Sequence, residues 1–325
     1  MLLATVTVLL GLALLIAGGT AMVHGASAAA RKLGWSPMVV GLTIVGFGTS
    51  APELVVSIVA AAQGVSEIVF GNVIGSNICN IGLVLGLAAV LAPLEIHGQL
   101  MRREVPLLLL GSAAILVMAL DEFLFAVAPR INAIESLILL LLFVGFLYMT
   151  AIGLRKAKRA ERGLLSDIEH SRIVSGEAPG NYWWLTLVAG FALLFIGGKL
   201  TVDGSVALAE LLGVPNTIIG LFVVAVGTSL PELVTSAVAA ARGESDLAVG
   251  NVVGSNIFNG LFVLPVSGLI SAVDVPDGGV ADVLVSMAFA LLLVSVFYVC
   301  KARISRLMGV VLLLCYALYV LVRLG

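Results

Sequence analysis

The sequence predicts an all-α integral membrane protein, ten transmembrane helices in two inverted five-helix repeats. Three observations carry this. Of the 325 residues, 61% are hydrophobic and only 11% are charged, against roughly 25% charged in a soluble domain. The apolar residues run in long unbroken stretches, and a helix needs about 20 such residues to cross a hydrocarbon core of about 30 Å. A stretch unusually rich in polar residues also occurs twice, 179 positions apart.

The expected spans are 2–23, 37–62, 67–93, 104–120, 132–153, 184–210, 216–241, 246–272, 279–299 and 306–324. These runs are far longer than the roughly ten alternating residues of an outer-membrane strand, which excludes a barrel. The opening run lacks the basic start of a secretory signal and continues past the length of its apolar core, so it reads as the first span. Basic residues fix the orientation. Fourteen of the 17 Lys and Arg fall in alternate loops, all but Arg130, Lys199 and Arg323, which places those loops in the cytoplasm and both termini outside. The one long polar stretch, 154–182, reads as a cytoplasmic linker between a first repeat, 1–153, and a second, 183–325. Its basic start, Arg155 to Arg162, suits anionic lipid headgroups. Cys79, Cys300 and Cys315 show no pairing or metal-type spacing and read as core residues, and His24, His97 and His170 do not repeat.

The duplication is specific. Gly48-Thr49-Ser50-Ala51-Pro52-Glu53-Leu54 returns as Gly227-Thr228-Ser229-Leu230-Pro231-Glu232-Leu233, and Gly71-Asn72-Val73-Ile74-Gly75-Ser76-Asn77-Ile78-Cys79-Asn80 returns as Gly250 to Asn259; 22 of 35 positions match without a gap. Chance likeness between apolar segments would match Val and Ala, not Thr, Ser, Glu and Asn. Five spans separate the copies, an odd number, so equivalent segments cross the membrane in opposite senses. Inverted repeats in transporters build their site near the midplane, where interrupted helices meet.

Glu53 and Glu232 fall inside spans 2 and 7, where a charge costs at least about 2.5 kcal/mol. No Lys or Arg lies in spans 2, 3, 7 or 8 to neutralise them, so a bound cation is the natural counter-charge. Pro52 and Pro231 interrupt the backbone bonding of their helices, freeing oxygens around Gly46 to Gly48 and Ala225 to Gly227 at membrane depth. Residues three or four apart share a helix face. That rule gathers Thr49, Ser50 and Glu53 with Ser76 and Asn80, and likewise Thr228, Ser229 and Glu232 with Ser255 and Asn259. Two carboxylates with hydroxyl, amide and carbonyl oxygens form a hard donor set suited to Ca²⁺ or Na⁺ rather than zinc or copper. Asn72, Asn77, Asn251 and Asn256 fit either helix-to-helix bonding or ligation. Gly71, Gly75, Gly250 and Gly254 have the spacing that lets helices pack closely.

The doubled Gly-Thr-Ser-x-Pro-Glu and Gly-Asn-x-x-Gly-Ser-Asn-Ile-x-Asn motifs resemble the Ca²⁺/cation antiporter superfamily, specifically prokaryotic sodium/calcium exchangers, over the whole chain. The resemblance implies that helices 2, 3, 7 and 8 form the core and that long helices 1 and 6 slide across it. It places the family's ligands at the ten side chains named above, with backbone oxygens of Gly46 and Ala225 as carbonyl ligands. Ca²⁺ would be held by the two glutamates and two threonine carbonyls, with Na⁺ at overlapping and flanking sites. Asn259 stands where potassium-dependent relatives carry Asp, which argues against potassium dependence. The linker has no room for the regulatory domains of animal exchangers.

The chain is therefore expected to be an electrogenic Na⁺/Ca²⁺ antiporter of the cytoplasmic membrane, with a Ca²⁺/H⁺ antiporter of the same fold as the alternative. Its partners would be Ca²⁺, Na⁺ or H⁺, and the lipid bilayer; no cofactor, nucleic acid or regulatory protein is implied. An enzyme would need acidic or nucleophilic groups set around a scissile bond, which the chain does not offer. A channel has no need of two mirror-related halves.

Overall fold

The computed structural model describes residues 1–120, 129–168, 182–212 and 225–324. Backbone groups buried in lipid must be satisfied within their own segment, which is why the apolar runs fold as helices. The first half comprises α1 (Leu2–Leu33), α2 (Pro37–Thr49), α3 (Ala51–Ala62), α4 (Ser66–Leu91), α5 (Gly98–Ala119) and α6 (Ala133–Ile168). The second comprises α7 (Trp183–Leu211), α8 (Ala225–Thr228), α9 (Leu230–Ala241), α10 (Ser245–Ile270), α11 (Gly279–Val299) and α12 (Arg306–Leu324). Short strands join them: β1 (Leu94–Glu95), β2 (Arg130–Ile131), β3 (Val273–Asp274) and β4 (Arg303–Ile304).

Two expected boundaries move by ten residues or more. α1 runs ten residues past the expected end at 23, because its Ala-rich tail, buried from Gly25 to Ala30, packs on protein rather than lipid. Low hydropathy there hid a segment of high helix propensity. α6 likewise continues to Ile168, so the linker expected over 154–182 starts as helix. Leu154 to Arg162 are good helix formers without Gly or Pro. Residues 169–181 of that linker, with His170, and 216–224 of the seventh expected span lie outside the described residues.

Burial separates core from periphery. Of the most apolar window of α10, 94% is buried inside the protein and of α4, 78%, against 17% for α6 and 11% for α12. α4 and α10 are thus the centre, shielded from lipid by the other helices.

The two halves are antiparallel copies, as α1 and α7 show directly. Gly11 of α1 meets Gly197 and Thr201 of α7, Gly18 meets Gly190 and Leu194, and Gly25 meets Leu187; as one chain advances the other recedes. A Cβ at Gly18 or at Gly197 would sit 2.7 Å from a backbone nitrogen of the facing helix, so glycine at seven-residue spacing is what allows this approach. The β ladders cross between halves: β1 pairs with β4, and β2 with β3, both antiparallel. Of the four duplicated small residues, Gly250 and Gly254 receive α2, with a Cβ placed 2.6 Å from the Met38 oxygen and 2.4 Å from the Leu42 oxygen. No described atom lies within 4 Å of a Cβ at Gly71 or Gly75.

Gly18→Val is expected to force α1 and α7 apart and to cost roughly 1–3 kcal/mol, read as a lowered Tm in detergent. Gly145→Ala, with nothing described within 4 Å of its Cβ, leaves Tm unchanged or slightly raised.

Candidate cation site

Each glutamate stands just after a break. α2 ends at Thr49, Ser50 leaves helical geometry (φ −82°, ψ 6°), and α3 restarts at Ala51 with a bend of 42°. The second half repeats this at Ser229 (φ −86°, ψ 5°) before α9. Pro52 and Pro231 therefore occupy the first turn of a new helix, where a missing N–H costs nothing, rather than the interior of a kinked one. Glu53 and Glu232 lie in those first turns, so the positive end of a helix dipole faces each carboxylate.

Both glutamates are 0% exposed. Among the described residues no ion pair reaches either of them. Their neutral neighbours come largely from the opposite half: Thr228 and Ser229, with Ser76, surround Glu53, and Thr49 and Ser50 surround Glu232. Ser50 Oγ donates to Glu232 Oε1 at 3.3 Å. Both oxygens of Glu53, Glu232 Oε2, Thr228 Oγ1, Ser229 Oγ, Asn80 Oδ1 and both polar ends of the Asn259 amide make no hydrogen bond among the described residues.

Thr49, Ser50, Ser76, Thr228 and Ser229, expected from the sequence to share one site, stand beside the two glutamates. Asn80 and Asn259 each open a π-helical turn, Asn80–Leu85 and Asn259–Val263, and such turns cluster at functional sites. Thr49 Oγ1 lies 3.1 Å from Asn251 Oδ1 and 3.3 Å from Ser255 Oγ. Ser255 Oγ in turn donates to the Gly46 oxygen at 3.3 Å, which also accepts the Ser50 N–H at 3.1 Å. Gly46 thus ends its carbonyl among site hydroxyls, and Ala225 opens the equivalent turn, α8.

The four other asparagines make hydrogen bonds between elements, one of the two roles left open for them. Asn72 Nδ2 donates to the Glu53 main-chain carbonyl oxygen (3.1 Å) and to Ser57 Oγ (2.9 Å), and Asn251 Nδ2 donates to Ser236 Oγ (2.9 Å). Asn77 and Asn256 exchange amide-to-carbonyl bonds across the halves at 3.4 and 3.1 Å, and Asn80 Nδ2 donates to Asn256 Oδ1 at 2.9 Å. Ser57 and Ser236, which accept these bonds, also match at the 179 offset, a repeated polar identity that marks them in the sequence.

The chain as a whole resembles known proteins. The model of the family described as sodium/calcium exchanger protein matches residues 3–152 and 182–325. The chain belongs to this family. It is 41% identical over 325 residues to CaxA of Alkalimonas amylolytica, covering 98% of each chain. It is 34% identical over 337 residues to the sodium/calcium exchanger MaX1 of Methanosarcina acetivorans, covering 97% of this chain and 96% of that one. A solved structure of the sodium-calcium exchanger NCX_Mj, soaked with Na⁺ and Sr²⁺, superposes with a TM-score of 0.81 at 31% identity, over 98% of this chain and 97% of that one. The all-α, multi-pass membrane architecture of ten helices in two inverted repeats is the one this match shows. The family transports ions and is not enzymatic.

Asn251→Ala removes the amide that Ser236 accepts and the oxygen beside Thr49. Unfolding in detergent is expected to become easier by about 1–3 kcal/mol, the cost of stranding buried polar groups.

Proposed function

We propose that this exchanger is an electrogenic Na⁺/Ca²⁺ antiporter working by alternating access, with Glu53 and Glu232 as the centre of one site for which the two ions compete. The observation that carries this is the crossed arrangement: two buried carboxylates, no basic partner among the described residues, and unbonded hydroxyl and amide oxygens from both halves around them. Ca²⁺ takes about six to eight oxygens at roughly 2.3–2.6 Å. Thr49, Ser50, Ser76, Asn80 and their equivalents Thr228, Ser229, Ser255 and Asn259, with backbone oxygens of Gly46 and Ala225, supply donors of that kind. The same set suits Na⁺.

Coupling follows from charge. Two bare carboxylates at membrane depth are costly, so the protein changes access readily only when cations neutralise them. Ca²⁺ on one passage and Na⁺ on the other is antiport. Likeness to relatives named as sodium/calcium exchangers supports these two ions. The chain would sit in the cytoplasmic membrane with both termini outside and the 154–182 segment inside, as its basic loops suggest.

In vesicles loaded with Na⁺, ⁴⁵Ca²⁺ uptake is expected and should collapse when internal Na⁺ is replaced by choline. Uptake driven by a pH gradient and indifferent to Na⁺ would instead establish Ca²⁺/H⁺ exchange. Glu53→Gln and Glu232→Gln should each weaken Ca²⁺ binding by about a hundredfold or more, the scale of removing one buried charge partner; normal binding in both variants would refute the site. With three Na⁺ per Ca²⁺, a 100 mV inside-positive potential is worth about 2.3 kcal/mol and should raise the attainable Ca²⁺ gradient about fiftyfold. No response to potential would mean electroneutral exchange.

A further inference from the structure

Behind the candidate cation site, where α4 and α10 meet α5 and α11, lies a small cavity of about 10 Å³. That is about the room one water molecule requires, provided polar partners are present. They are: Asn77 and Asn256 line it from the core helices, Ser112 from α5 and Ser286 from α11. All four are at least nine-tenths buried, and Asn77 Oδ1 makes no hydrogen bond among the described residues. The position is central to the fold, since Asn77 and Asn256 are equivalent residues of the two repeats, bonded to each other.

We propose that this cavity is a binding site for a single water molecule that anchors Asn77 at the junction of the two repeats. The chemistry balances. The water donates one O–H to Asn77 Oδ1 and the other to Ser112 Oγ, whose own proton is directed to the Leu108 oxygen at 2.9 Å; the Ser286 hydroxyl donates to the water. Three bonds is the usual complement of a buried water. A second consequence rests on the antiport reading. Asn77 donates to the Asn256 backbone, and Asn256 Oδ1 accepts from Asn80 Nδ2. The water thus stands at the head of a chain that orients Asn80 Oδ1 in the cation site, and Asn77 and Asn256 are positioning residues.

Gly260 provides a test by sign. It lines the cavity, and a Cβ there would meet only Ile115 Cδ1 at 3.5 Å and Asn77 Nδ2 at 3.8 Å, ordinary contact distances. Gly260→Ala therefore folds, and its methyl group narrows the cavity to less than the room a water needs. If the cavity is dry, filling it and replacing a helical glycine both stabilise, and Tm rises. If it holds water, the methyl expels it and strands Asn77 Oδ1, and Tm falls by about 2 °C. Ser112→Ala, which removes one partner without filling the space, should also lower Tm. A rise in Gly260→Ala, or no loss in Ser112→Ala, overturns the water site whatever ion the protein carries. Calorimetric titration of Gly260→Ala with Ca²⁺ reads the second consequence: an affinity loss of about tenfold is expected, and unchanged affinity together with a fallen Tm overturns the link to Asn80. Unchanged Ca²⁺ binding in Glu53→Gln would fault the antiport reading instead, and leaves the two Tm results as the measure of the water.

Discussion

Two carboxylates held at membrane depth with neutral oxygens around them set the terms for the rest of this fold. Each isolated charge there is costly, and the chain answers with dipoles and hydroxyls rather than with lysine or arginine. Ending α2 at Thr49 and restarting at Ala51 turns a helix N-terminus toward Glu53, and α9 does the same for Glu232. A continuous helix would have given neither glutamate that positive end. The deep burial of α4 and α10 keeps lipid away from Ser76, Asn80, Ser255 and Asn259, so that these polar side chains are not stranded in hydrocarbon.

Neither half could build the site alone. The Thr-Ser pair of one repeat surrounds the glutamate of the other, and the strands after α4 and α10 pair with strands of the opposite half. The duplication is therefore interleaved rather than placed side by side, and its axis runs through the Asn77–Asn256 bridge. Symmetry stops short of completeness, though. Asn80 donates to Asn256 Oδ1, while the equivalent bond from Asn259 to Asn77 Oδ1 is not made. Likewise Ser50 bonds Glu232, and Ser229 Oγ makes no bond among the described residues. Alternating access needs the halves to differ whenever the site faces one side, because identical halves in identical conformations would leave it open to both sides or closed to both.

The sequence makes the spans legible because lipid imposes a length and a composition on every one of them. It makes the glutamates legible because a polar identity repeated inside apolar surroundings has no packing explanation. What it hides follows from context. The end of α1 is obscured because its alanines are buried by protein, which hydropathy cannot distinguish from exposure to water. The π-helical turns at Asn80 and Asn259 change hydrogen-bond spacing without changing composition, so no residue type announces them. Asn77 and Asn256 could be bridges or ligands from spacing alone; their role depends on which helix faces them, which only the packed structure gives.

The choice of Asn rather than Asp at 259 bears on where voltage would act in the proposed cycle. With Glu53 and Glu232 as the site's charges, one Ca²⁺ brings the loaded site to zero net charge, and three Na⁺ bring it to +1. A neutral complex crosses the membrane field without electrical work; a charged one exchanges about 2.3 kcal/mol per 100 mV with it. On this reading the Ca²⁺ passage is indifferent to potential and the Na⁺ passage carries the whole dependence. An Asp at 259 would reverse the assignment, since three Na⁺ would then be neutral and Ca²⁺ would travel with −1. The net charge moved per cycle is the same in both cases, so the residue at this one position sets which half of the cycle the membrane potential drives, not how much energy it supplies.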